Sequence, residues 1–194
     1  MFKLKNKLGF TLLELLVTIS IIAFLSVLSF AVYENTRIKT RDTQRLAGIR
    51  RIQEALDLYW DKNGTFPQSR VCGATKPNVS WCNSVESLVG EHWIFNSGVE
   101  NLEDYLSVDP LDPNNSPPAT IPLWKPFLGG AYYYYSGSWA SCQGKDWYFI
   151  VFGLEDTNHA FQLEDGVTAC NGSFIHYGVG ANNDGIITIG KNYN

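Results

Sequence analysis

From Phe10 to Tyr33 the chain is apolar at almost every position, and the only charge among those 24 residues is Glu14. At about 1.5 Å per residue a helix of that length reaches roughly 36 Å, enough to cross a hydrocarbon core of about 30 Å. From Glu34 to Lys62 the pattern changes. Ile38, Leu46, Ile49, Ile52, Leu56 and Tyr59 recur at mostly three- and four-residue spacing, while Arg41, Asp42, Arg45, Arg50, Glu54 and Asp57 fall on other faces. Asn63 and Gly64 supply a left-handed stop, and Pro67 prevents continuation. The pattern therefore predicts one helix from Phe10 to Lys62, about 80 Å long, apolar all round in its first half and amphipathic in its second.

Beyond Pro67 the periodicity fades. Gln68 to Pro126 is rich in Asn, Ser, Pro and Gly, with one short helix expected around Val99 to Leu106. Short β-rich runs then follow between turn residues: Ala131 to Tyr135, Trp147 to Phe152, Ala160 to Leu163, Phe174 to Val179 and Ile186 to Ile189. Their spacing reads as an antiparallel meander of about four or five strands. The fold class expected is α+β. Four segments result: a leader at 1–9, a spanning helix at 10–33, its amphipathic continuation at 34–64 and a globular head at 65–194.

Charge orients the span. Lys3, Lys5 and Lys7 precede it, and flanking positive charge keeps that end cytoplasmic, so the head lies outside. A secretory signal peptide would share the basic start, and Ser29, Phe30 and Ala31 imitate a small-x-small cleavage site. The apolar run, however, far exceeds an h-region of about 7 to 15 residues. A plain signal anchor fits the length but gives no reason for Gly9, Phe10 and Glu14 to coincide. An acid inside a span costs about 2.5 to 3.5 kcal/mol on insertion scales, so Glu14 calls for a partner.

The run Gly9, Phe10, Thr11, Leu12, Leu13, Glu14, Leu15, Leu16 resembles the processing site of type IV prepilins and type II secretion pseudopilins. The resemblance implies cleavage after Gly9 by a membrane-embedded prepilin peptidase and methylation of the new Phe10 amine. It also implies an assembly role for Glu14, whose carboxylate would neutralise the Phe10 amine of a neighbouring subunit. The implied fold is pilin-like: a long N-terminal helix, half exposed and half packed under a small antiparallel sheet. The end of the helix, Tyr59 to Pro67, is similar to that of pseudopilin-like chains. Asp109, Pro110, Leu111, Asp112 and Pro113 resemble, without the usual Trp-Gly continuation, the loop that opens their sheet. Ala31 stands where many members carry a proline, so no proline kink is carried over.

The partners implied are copies of the chain or related pilin-like subunits, the peptidase, an inner-membrane assembly platform with its cytoplasmic ATPase, and membrane lipid before assembly. The implied setting is the cytoplasmic membrane, then a periplasmic or extracellular filament. Alternative readings are a membrane-anchored extracellular binding module and an adhesive or DNA-uptake minor pilin.

Removing a nine-residue leader leaves 185 residues with 12 basic and 19 acidic side chains, a net charge of −7. That is no nucleic-acid-binding composition. Cys72, Cys82, Cys142 and Cys170 all fall on the exported side, where disulfides form; three pairings are open, of which neighbour pairing closes two loops. No Cys-x-x-Cys spacing or histidine pair supports zinc.

Tyr132 to Tyr135, Trp139, Trp147 and Tyr148 read as sheet core and subunit packing, with a sugar-stacking platform as the alternative. Glu164, Asp165 and Gly166, then Asn182 to Gly185, read as ordinary turns. Calcium, which some major pseudopilins hold in sheet loops, is the alternative. Arg37, Lys39, Arg41, Arg45, Arg50 and Arg51 read as a solvated or intersubunit face, with phosphate binding as the alternative. His92, His159 and His176 are scattered, and neither a nucleophile elbow nor a phosphate-cradling loop is present. No enzyme, cofactor or metal site is expected.

Overall fold

The structure, a computed structural model, describes residues 9–67, 82–84, 102–106, 108, 110–114, 131–136, 147–158, 166–177 and 185–193. Helix α1 spans Leu12–Asn63, two residues later at its start and one later at its end than the pattern predicts. It runs without interruption through position 31. Inside the apolar half, the hydroxyls of Thr18, Ser20, Ser26 and Ser29 donate to carbonyls three or four residues back at 2.7–2.9 Å. The helix thereby satisfies its own polar side chains where the surroundings are apolar. At the far end Gly64 takes φ +65°, its N–H donates to the Trp60 carbonyl at 2.7 Å, and the Asn63 amide donates to the Tyr59 carbonyl at 2.8 Å.

The chain divides into two compact units, Met1–Ile38 and Lys39–Asn194. In the first, the side chains described from Phe10 to Tyr33 are all exposed. Among the described residues α1 is the helix long and apolar enough to cross a membrane.

In the second unit, Ile49, Ile52, Ala55, Leu56 and Tyr59 of α1 are buried. They join one face of a four-stranded antiparallel sheet made of β1 (Cys82–Asn83), β2 (Tyr133–Tyr135), β3 (Trp147–Gly153) and β6 (Ile186–Asn192), in the order β1-β2-β3-β6. A separate hairpin, β4 (Val167–Thr168) with β5 (Phe174–Ile175), contributes to the other face. Alternation along the strands sorts the side chains. Tyr132, Tyr134, Tyr148, Ile150 and Phe152 join the helix side, while Tyr133, Tyr135, Trp147, Phe149 and Val151 join Val167, Ala169 and Ile175 on the other. Both faces of β3 are thus covered, which is why Trp147 to Phe152 is apolar at every position rather than at every second one. Each such large side chain taken from water contributes about 1.5–3 kcal/mol.

The architecture is α+β, a long N-terminal helix with a C-terminal antiparallel sheet. Several boundaries differ from expectation. Where a short helix is expected around Val99 to Leu106, the described residues form a 3₁₀ turn at Leu102–Asp104, closed by Tyr105 and Leu106 N–H groups on the Leu102 carbonyl; 99–101 lie outside the described residues. The strand begun at Phe174 ends at Ile175, and the last strand runs on to Asn192. The expected strand at 160–163 lies outside the described residues. β1 and β4, two residues each, carry no pattern long enough to be read.

Candidate functional site

Among the described residues chemistry concentrates at the first turn of α1 and at an ionic cluster in the second unit. At the first turn Gly9 has open space around the position a Cβ would take, and Phe10 is 81% exposed. Thr11 caps the helix. Its hydroxyl accepts from the Glu14 N–H at 3.2 Å and donates to Glu14 Oε2 at 2.7 Å. The same carboxylate oxygen accepts from the Thr11 N–H at 2.9 Å. This is a reciprocal capping box, in which a Thr at the cap and a Glu three residues on satisfy each other's backbone donors. The acid therefore has a partner within its own chain, and a negative group sits at the positive end of the helix. The Thr-x-x-Glu signature at 11–14 is the sequence signal for this intrachain bond.

The second place corrects the expectation of a solvated or intersubunit basic face at Arg45, which is buried, and at Arg41, which is half-buried, while Arg37, Lys39, Arg50 and Arg51 are exposed. Arg45 is 2% exposed, with Asp42 at 1% and Asp112 at 3%. Its Nε donates to Asp112 Oδ2 at 2.8 Å, its Nη1 to Asp42 Oδ1 at 2.7 Å, and Nη1 also lies 2.7 Å from Glu155 Oε1. Arg41 pairs with Glu155 as well, and Arg37 with Glu34. Asp42 accepts from the backbone N–H groups of Glu155 at 3.0 Å and Asp156 at 2.8 Å. Asp112 accepts from the Asn114 N–H at 2.8 Å.

Burial opposes the Arg45 charge, but the bonds and charge of Asp112, then Glu155 and Asp42, outweigh it and raise its pKa further. Hydrogen bonding from Arg41, aided by Arg45 and opposed by burial, holds the Glu155 carboxyl down to about 2. The cluster fastens α1 to the segment at 110–114 and to the chain leaving β3. It is a structural clamp, every member of it partnered. Helix arithmetic held the signal: Arg45 lies four residues before Ile49 and seven before Ile52, on the apolar stripe itself.

The remaining candidates are placed as follows. Tyr132 to Tyr135, Trp147 and Tyr148 are buried at 8% exposure or less, so these rings offer no open platform; Trp139 lies outside the described residues. Cys82 is buried in β1 and Cys170 half-buried after β4. Both are disulfide-bonded, while Cys72 and Cys142 lie outside the described residues. Gly166 and Gly185 adopt φ of 112° and 77°, as turn glycines do; the acidic and amide residues preceding them, 164–165 and 182–184, are outside the description. Among the described residues no cluster of three metal-ligating side chains occurs. His176 is exposed, and His92 and His159 are not described.

No curated protein and no solved structure matches the chain. Residues 4–30 match the family model described as the prokaryotic N-terminal methylation motif. That segment includes Gly9, Phe10, the Thr11 cap and Glu14, and continues into the exposed apolar turns of α1. The chain therefore carries, ahead of an α+β head, the hallmark of type IV pilins and pseudopilins.

Proposed function

We propose that the chain is a structural subunit of a type IV pilus or of a secretion pseudopilus, made as a precursor and cut after Gly9 by prepilin peptidase. Phe10 becomes the methylated N-terminus. The processed protein waits in the cytoplasmic membrane, N-terminus in and head out, and polymerises through its apolar helix with copies of itself or related subunits on an ATPase-driven platform. The observation that carries this reading is the methylation motif at 4–30, coincident with a capped helix whose apolar side chains are exposed from Phe10 onward. Such a surface is tolerated in lipid or against other helices, not in water.

Within this reading Glu14 exchanges its own Thr11 for the Phe10 amine of a neighbour, and disulfides at Cys72, Cys82, Cys142 and Cys170 brace the exported head. Intact-mass measurement of the mature protein tests it. Loss of Met1 to Gly9 together with one added methyl on Phe10 is the expected result. An uncut N-terminus, or a cut near Ala31, would replace the reading with an anchored or a secreted protein.

A further inference from the structure

The outward stripe of α1 in the second unit carries two charges that the chain leaves unpaired. Ile49, Ile52, Ala55, Leu56 and Tyr59 are buried with the sheet, whereas Ala47, Arg50, Arg51, Glu54 and Leu58 are exposed. Other cations of the helix are engaged, Arg37 with Glu34 and both Arg41 and Arg45 with Glu155. Among the described residues neither Arg50 nor Glu54 forms an ion pair, although they stand one turn apart. Their order disfavours an internal pair, since a cation four residues ahead of a glutamate is the weaker arrangement on a helix.

Phe10 and Glu14 have the same spacing, four residues with the positive group first once the leader is gone. A copy whose Phe10 amine meets Glu14 is displaced by four positions along α1, about 6 Å. Because α1 is one helix from Leu12 to Asn63, the same displacement sets that copy's Arg50 beside Glu54. Forty positions separate Glu14 from Glu54, about 11 turns at about 3.6 residues per turn, so the sequence returns the acid to nearly the same helical face. Arg51 does not follow this rule: four positions on from it stands the buried Ala55.

We propose that Arg50 of one copy and Glu54 of the next form an ion pair in register with the pairing of Phe10 and Glu14, a second charged contact along the helix. The partner is a second copy because this stripe carries both signs at the offset such a copy would have, so one surface complements itself head to tail. Leu58, 53% exposed one turn beyond Glu54, supplies an apolar flank that keeps water from the pair. The inference deepens the filament reading and rests on it for the displacement.

The test uses the full-length chain in cells that process and assemble it, and reads the yield of sheared filaments. Arg50→Glu alone and Glu54→Arg alone should each lower that yield about fivefold or more, because like charges then face each other at every contact. Abundance in the membrane fraction should stay near wild type, which separates lost assembly from lost folding. Co-expressing the two variants should bring the yield back to within about twofold of wild type, with both masses present in the filaments. Where the two alternate, each contact joins opposite charges, while each chain by itself still carries two like charges one turn apart. Rescue in the mixture therefore arises between copies and not within a helix. A yield unmoved by either reversal, or a mixture no better than the single variants, would overturn the pair. Intact mass separates the two readings: processed wild-type filaments with either of those outcomes defeat the pair alone, whereas an uncut N-terminus or no filament from the wild-type chain defeats the filament reading and the pair with it.

Discussion

Asp42, Arg45, Asp112 and Glu155 show how single residues decide the attachment of a helix. A buried ion pair stabilises only when its remaining donors and acceptors are also satisfied, because desolvation of each ion costs several kcal/mol. Here Asp42 takes two backbone N–H groups besides Arg45, and Asn114 supplies further bonds to Asp112 and Glu155. The pH dependence follows from Glu155. Its carboxyl lies at about 2 in the folded chain against an ordinary 4.5. A depressed acid stabilises the fold above its unfolded value and loses that contribution as pH falls toward its folded one. Stability should therefore hold down to about pH 5 and decline between about 4.5 and 2 as this group takes up its proton. Thermal unfolding followed by the near-ultraviolet signal of the buried tyrosines checks this. Glu155→Gln should be less stable at neutral pH and should show a flatter slope in that acid window.

At the scale of elements, β3 and β6 carry the sheet, and one position in their ladder admits no side chain. A Cβ on Gly190 would meet the Tyr148 carbonyl and the Phe149 backbone across the pair. Gly190→Ala should therefore part the strands locally and cost about 1–3 kcal/mol, seen as a lowered unfolding midpoint. Gly153→Ala, where a Cβ would enter open space, should change it little.

The contrast also marks what could be read beforehand. The unbroken apolar run at Trp147 to Phe152 announces a strand buried on both faces, and Asn63 with Gly64 announces the end of α1, because each depends on neighbours in sequence. The clamp could not be read so directly. The bonds by which it ties α1 to other segments join residues 67 to 114 positions apart, and the charge pattern alone places Arg45 at the surface. β1 and β4 exist only through their cross-strand partners, Tyr133 and Tyr134 for the one and Phe174 and Ile175 for the other. The capping box is local as well, a Thr and a Glu three residues apart at a helix start.

For the whole molecule, the two claims on Glu14 can be separated by chemistry. The capping box needs an acceptor at position 14, and glutamine serves as well as glutamate in such a box. Neutralising a neighbour's amine needs a negative charge. Glu14→Gln should therefore leave helix start, membrane insertion and cleavage after Gly9 intact, yet leave the Phe10 amine unpaired among apolar helices, a penalised state. Subunits should accumulate in the membrane as monomers, with filaments lost or misregistered. Glu14→Ala should share that assembly defect and add the loss of the box, worth about 0.5–2 kcal/mol at the first turn. Sheared-filament yield, N-terminal mass and membrane-fraction abundance report the three steps separately. Normal filaments from Glu14→Gln would assign assembly to the box rather than the charge, and Thr11→Val would then reproduce the defect that Glu14→Ala shows.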